Sequence, residues 1–244
     1  MSGHSHAANI AAKKAKTDAA KGKIFTKVGR EIAVAAKSNP DPSTNSKLAD
    51  AIAKAKAVNM PNENIKRCIA KASGELSGAN YEELTYEGYG PAGSAVIIKT
   101  LTDNKNRTVD FVRTTMRKHG GSLGNAGCVS FTFSTVGVIV IERTADLEED
   151  TVMEYALEAG ADDFIAEDDA FIVHTSVADF SNVRKYLEEK GLNFFEAQIE
   201  MLPQNKITLS GEELAKFNRL VDALEDLDDV QNVYHNVDLP EDAE

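Results

Sequence analysis

Residues 137–201 read GVIVIERTADLEEDTVMEYALEAGADDFIAEDDAFIVHTSVADFSNVRKYLEEKGLNFFEAQIEM, and this stretch decides the architecture. Val138–Glu142 is a short β-branched run of strand length. Residues 148–159 carry a helical pattern up to Gly160. Phe164–Glu167 and Ala170–Thr175 read as strands joined across a tight Asp168-Asp169 turn. A second helix spans 179–190 and stops at Gly191, and 194–201 is again strand-like. The order βαββαβ is ferredoxin-like.

The flanks extend this reading in both directions. Upstream, residues 84–89 and 93–102 are strand candidates. Residues 105–118 form a helix with Val109, Val112 and Met116 inward, stopped by Gly120-Gly121. The alternation Cys-Val-Ser-Phe-Thr-Phe over 128–133 has the spacing of a half-buried strand. Downstream, Ser210-Gly211-Glu212-Glu213 has the form of a capping box. The helix it opens buries Leu214, Phe217, Val221 and Leu224, and 230–237 is a last strand. That helix and strand are left over once βαββαβ closes, while the middle ββαβ segment needs partners for its open face. The expectation is a discontinuous middle domain, 78–134 plus 205–240, with 135–204 inserted as its own domain.

Residues 1–77 form a separate head. From Lys23, Ile24, Phe25, Val28, Ile32 and Ala35 share one face of a helical wheel. Lys23, Lys27, Arg30 and Lys37 fall opposite. Asn39-Pro40-Asp41-Pro42 ends this helix. Leu48, Ile52 and Ala55 stripe a second helix, and Ile65, Ile69 and Ala72 a third, with Lys66, Arg67 and Lys71 turned away. Pro61 sits near a first helical turn, where its missing N–H costs nothing. The fold class is therefore α+β: a three-helix N-terminal domain followed by two α/β domains, the third inserted in the second.

Charge follows the same boundaries. Residues 1–73 hold 14 Lys/Arg against 5 Asp/Glu, 74–134 hold 6 of each, and 135–244 hold 7 against 28. The net values are +9, zero and −21, a sorting that solubility alone does not require. A cationic head implies a polyanionic partner, and the acidic segment would be repelled by it. No run approaches the ~20 apolar residues of a membrane span, and the reading expects no secretory signal. Cys68 and Cys128 lie too far apart in sequence for a CxxC site, which fits a reducing, cytoplasmic compartment.

The sequence holds few marks of catalytic chemistry. Gly88-Tyr89-Gly90-Pro91-Ala92-Gly93 matches GxGxxG, but a dinucleotide site needs a helix to follow, and here Val96-Ile97-Ile98 reads as strand. Its simpler reading is a connection between strands that presents Tyr89. His4 and His6 supply two ligands where a structural zinc takes four. The acidic clusters read as solvated faces. No cofactor, metal or small-molecule substrate is implied, and no set of acid, base and nucleophile suggests an enzyme.

Two groups of residues remain. Lys13, Lys14, Lys16, Lys21, Lys23, Lys27 and Arg30 cluster within 18 residues. With Lys66, Arg67 and Lys71 they form the candidate nucleic-acid-binding set, since each phosphate neutralised releases counterion. Secondary candidates are Tyr89 and the polar turn holding Asn104, Asn106 and Arg107. There, N-capping by Asp103 or Asn104 competes with anion contact at a helix N-terminus.

These residues also resemble a known family. Gly3-His4-Ser5 with Ala8-Asn9-Ile10, Lys21-Gly22-Lys23-Ile24-Phe25-Thr26-Lys27, Asn59-Met60-Pro61, Tyr86-Glu87-Gly88-Tyr89-Gly90-Pro91, Thr102-Asp103-Asn104-Lys105-Asn106-Arg107-Thr108 and His119-Gly120-Gly121 with Gly124 look like the YebC/PmpR family in order, over residues 1 to about 240. The resemblance implies three domains and a non-enzymatic regulator of gene expression. It leaves open a DNA-binding transcriptional regulator and a ribosome-associated translation factor on ribosomal RNA. One departure is clear. The family pattern has Lys-Trp after His-Ser, whereas this chain has His6-Ala7 and no Trp. A Trp there would stack on a base for ~1–3 kcal/mol, so its absence leaves phosphate contacts.

Overall fold

A computed structural model of the chain describes residues 18–73 and 80–239. In chain order the helical head holds α1 (Asp18–Ser38), α2 (Ser46–Ala57) and α3 (Asn62–Ser73). There follow β1 (Glu82–Tyr89), β2 (Ala95–Thr102), α4 (Lys105–Lys118), β3 (Ser122–Leu123) and β4 (Phe133–Glu142). Next come α5 (Glu149–Ala159), β5 (Asp163–Ala166), β6 (Ala170–Thr175), α6 (Phe180–Glu189) and β7 (Phe194–Pro203). The chain closes with β8 (Ile207–Thr208), α7 (Gly211–Glu225), β9 (Val230–His235) and β10 (Val237–Asp238). The described residues divide into two compact units, 18–73 with 135–200 and 80–134 with 201–239.

The first unit contains the helical head. Val28, Ile32, Ala36, Leu48, Ala51, Ala55, Met60 and Ile65 form its buried core. Asn45 joins two helix ends: its Oδ1 accepts the Leu48 N–H at 3.1 Å, and its amide donates to the Ala35 and Asn39 carbonyls. It therefore satisfies orphan groups at the start of α2 and the end of α1 together. Gly29 marks the crossing of α1 and α3, because a Cβ there would lie 3.1 Å from Cys68 Sγ. Helix α1 begins five residues before the expected Lys23. Its first turn, Asp18-Ala19-Ala20-Lys21-Gly22, carries no apolar stripe that periodicity could detect.

The same unit contains the ferredoxin-like sheet, in the order β5-β6-β4-β7. β6 pairs antiparallel with both β4 and β5. Ile139, Ile141, Phe171 and Val173 on the sheet meet Val152 and Ala156 of α5 and Phe180, Val183 and Leu187 of α6. Between the head and this sheet's helices lies a polar contact. Arg184 of α6, only 5% exposed at its side chain, donates from Nε to Asp50 Oδ1 of α2 at 2.8 Å. Ser181 Oγ donates to the other oxygen of Asp50, and Arg184 Nη1 donates to Glu188 at 2.8 Å.

The second unit is built on the sheet β3-β1-β2-β9. β1 and β2 form an antiparallel hairpin, with Tyr86 opposite Ile98 and Tyr89 opposite Ala95. Its tight Pro91–Gly93 turn is closed by the Gly90 N–H donating to the Ser94 carbonyl at 2.8 Å. Hence the GxGxxG match closes a hairpin and opens no α-helix. β2 is covered on both faces. Val96 and Ile98 pack with Val112, Met116, Phe217, Leu220 and Leu224. Ala95 and Ile97 pack with Val129 and Phe133, beside Met201 and Tyr234.

Two expectations are corrected. Residues 128–133 are not a strand: Ser130–Thr132 is a short 3-10 turn, and β4 starts only at Phe133. The Val129 and Ser130 N–H groups go to a carboxylate, described below, and those of Cys128 and Thr132 to the carbonyls of Asn125 and Val129, so none of these pairs with a neighbouring strand. The capping box does not close either, because Ser210 makes no side-chain cap bond. Gly211, the first residue of α7, has φ +55, so the backbone enters the helix from a left-handed conformation that a capping box lacks.

Candidate nucleic-acid interface

The outer faces of α1 and α3 carry the head's cations. Val28 and Ile32 point α1 inward, which leaves Lys23 exposed and Lys27 and Arg30 half-buried. On α3, burial of Ile65 leaves Lys66, Arg67 and Lys71 exposed. Arg30 follows Gly29 and Arg67 precedes Cys68, so basic residues of both helices border the crossing. Burial pushes the Cys68 thiol up, while the positive charges of Arg67 and Lys71 oppose that rise. Lys66 reaches Glu63 only at 3.9 Å, and Arg67 Nη2 donates to Asn64 at 2.9 Å. Both are exposed local contacts of the kind worth at most about 1 kcal/mol. Lys54 is committed differently, in a half-buried 2.9 Å ion pair with Glu31 that ties α2 to α1. Lys13, Lys14 and Lys16, like His4 and His6, lie outside the described residues, and Lys21 is described in its backbone alone.

The secondary candidates do not form one cluster. Asn104 caps α4, with the Arg107 N–H donating to its Oδ1 at 3.0 Å. Asn106 is exposed on the first turn. The Arg107 guanidinium is turned to Asp229, with Nη2 at 3.1 and 2.9 Å from the two carboxylate oxygens, and it also donates to Asp103 at 2.8 Å. Thr102 and Thr108 donate to the same Asp229 oxygen at 3.3 and 2.8 Å. These bonds to Asp229 and Asp103 raise the Arg107 pKa further. Tyr89 is partly exposed, and its hydroxyl donates to the Cys128 carbonyl at 3.1 Å.

Sequence reasoning missed the residue that shapes this region. Glu87 is buried, and its carboxylate accepts the N–H groups of Gly127, Val129 and Ser130 at 2.8, 2.9 and 2.8 Å. It pins the 124–131 loop, on which Phe131 stands 73% exposed. Burial alone would push Glu87 up, but the bonds from Val129, Gly127 and Ser130 outweigh it and hold the carboxyl below its usual 4.5. A depressed folded pKa stabilises fully above about pH 4.5, and that contribution is lost as pH falls through the folded value. Glu87→Gln removes the charge-assisted bonds at a cost of about 1–3 kcal/mol. The expected result is a stability gap between wild type and Glu87→Gln that is constant above pH 5 and closes towards pH 3, read from urea unfolding. A gap independent of pH counts against the carboxylate clamp.

Among the described residues no group of His, Cys, Asp and Glu is placed to hold a metal ion, and no helix is long and apolar enough to cross a membrane.

Comparison with known proteins agrees with this architecture. Residues 5–75 match the model described as TACO1/YebC protein N-terminal domain, and 81–237 that described as TACO1/YebC second and third domain. A probable transcriptional regulatory protein of Acetivibrio thermocellus is 58% identical over 238 residues, covering 97% of this chain and 98% of that one. A probable transcriptional regulatory protein of Hathewaya histolytica is 55% identical over 242 residues, covering 99% and 98%. The crystal structure of a conserved hypothetical protein from Aquifex aeolicus is 42% identical, with TM-score 0.82 over 94% of this chain and 95% of that one. On these matches, which run nearly end to end, the chain belongs to the TACO1/YebC family.

Proposed function

We propose that this protein is a non-enzymatic, cytoplasmic regulator of gene expression that binds nucleic acid through the basic outer faces of its helical head. The observation that carries the reading is the exposure of Lys23, Lys66, Arg67 and Lys71 on faces turned from the head's core, in the +9 segment of a chain that is −12 overall. Phosphate contact is what such a surface does best. The names of the relatives favour a DNA-binding transcriptional regulator. A ribosome-associated translation factor gripping ribosomal RNA is favoured by another observation: 12 of the 14 head cations are Lys, suited to phosphates more than to bidentate base reading. Apolar clusters centred in the head, on the sheet of the second unit and in the ferredoxin-like segment support a three-domain organisation, with the head at 1–77, a middle domain at 78–134 plus 205–240 and an insert at 135–204.

The test is binding of the full chain to labelled duplex DNA and to a ribosomal RNA fragment at several salt concentrations. Reversal of Lys66, Arg67 and Lys71 to Glu is expected to flatten the log-log salt slope on duplex by about 2.7, at roughly 0.9 per phosphate contact. An unchanged slope and affinity removes the head from the interface. Strong preference for one duplex sequence supports the transcriptional reading, and preference for the RNA over every duplex supports the translational one.

A further inference from the structure

We propose that α4 is a second nucleic-acid contact, which takes a single strand by stacking a base on Phe111 while Arg113, Arg117 and Lys118 hold the neighbouring phosphates. This rests on the nucleic-acid reading above and adds a site on the other unit. Val112 and Met116 fix which side of α4 is buried. The solvent side then carries Phe111, Thr114 and Lys118 along one stripe and Asp110, Arg113 and Arg117 along the next.

Three observations converge. Phe111 is 53% exposed in the middle of a well-formed helix. A lone exposed apolar residue means little by itself. Here, though, its surroundings are cationic: of the nine Lys/Arg in residues 76–134 and 201–239, five lie on α4, against one acidic residue on that helix. The cations are also little engaged. Arg113 pairs with Asp110 at 3.3 Å, with 58% and 72% of the two side chains exposed, a pair that water and salt readily replace. Arg107 is the exception, held by Asp229 and Asp103.

The chemistry favours a single strand. Duplex bases are already stacked and offer no free face to Phe111, whereas an unpaired base does. Arg113 and Arg117 stand one turn apart, about 6 Å along the helix, and their planar guanidiniums suit phosphate oxygens. Thr114, exposed on the same stripe as Phe111, has a hydroxyl to offer a sugar or phosphate. Among the described residues, the phenylalanines of the later helices, Phe180 of α6 and Phe217 of α7, are buried, so those helices do not repeat this combination.

The experiment is fluorescence anisotropy of the full chain with a 12-nucleotide single-stranded RNA, the DNA of the same sequence, and its duplex. Phe111→Ala is expected to lose about 5- to 100-fold in affinity for single strands with duplex binding unchanged, and Phe111→Tyr to retain it. Arg113→Gln with Arg117→Gln is expected to flatten the single-strand salt slope by about 1.4. Ultraviolet crosslinking to uridine should mark the peptide carrying Phe111. Both variants change exposed side chains, so thermal unfolding should match wild type. Wild-type affinity of Phe111→Ala for single strands, in an assay where reversing Lys66, Arg67 and Lys71 abolishes binding, overturns the α4 site and leaves the head reading standing. Loss on Phe111→Ala with no effect of the head reversal supports α4 and overturns the head. No binding by wild type to any probe overturns both.

Discussion

Arg184→Ala is expected to cost about 3–5 kcal/mol of stability, the largest effect of any single charge removal in this protein. The guanidinium is 5% exposed at its side chain and serves Asp50 and Glu188 together. Truncation leaves the 22%-exposed Asp50 carboxylate with the Ser181 hydroxyl still donating to it and opens a void where the side chain was. The head and the ferredoxin-like sheet should then unfold less cooperatively, visible as a lower urea midpoint and earlier trypsin cleavage between them. Asp50→Asn, which keeps the shape, should cost less than half as much. Lys185→Ala is the control: its pair with Glu189 spans 3.9 Å at 71% and 65% exposure, so the change should stay within about 0.5 kcal/mol. If Arg184→Ala and Lys185→Ala behave alike, the buried bridge contributes nothing.

Arg107→Ala is expected to be the next most damaging, at about 2–3 kcal/mol. Breaking a fully buried pair costs ~3–5 kcal/mol, but Arg107 is 40% exposed, and solvent screening discounts the figure. The damage comes from Asp229, 8% exposed at its side chain, whose carboxylate keeps the hydroxyls of Thr102 and Thr108 but loses its paired cation. The discriminating measurement is a double-mutant cycle. Asp229→Asn alone should be milder, because Arg107 can turn to water and Asp103. Arg107→Ala on the Asp229→Asn background should then cost about 1–2 kcal/mol less than on wild type. Additive effects mean that the pair is not coupled.

Much of the fold was written locally. Strand runs such as Val138–Glu142 and the apolar stripe of α3 carry their period within a few residues, so pattern alone finds them. The βαββαβ order follows from six such segments and yields the observed sheet without further information. What escaped depends on distant groups. The 128–133 segment alternates like a strand, but the N–H groups of Val129 and Ser130 are taken by the carboxylate of Glu87, 42 and 43 residues upstream. β3 is two residues long and exists only because β1 lies beside it. The head's cations were legible because burying one stripe exposes the other. Arg107 was not, since nothing near it announces Asp229, which lies 122 residues downstream. Phe111 hid for the opposite reason: in sequence it sits among inward-facing apolar residues, and only the helix phase set by Val112 and Met116 turns it out.

The discontinuity of the second unit sets a clock. At about 5–20 residues per second, a ribosome needs roughly 6–24 s to travel the 122 residues from Arg107 to Asp229. Over that time β1, β2 and α4 are already made, whereas β9, the strand that completes their sheet, has still to be translated. All six elements of the ferredoxin-like segment are synthesised inside the same window. The guest is therefore fully synthesised before its host, and the arginine that the finished protein pairs with Asp229 spends those seconds beside Asp103 alone.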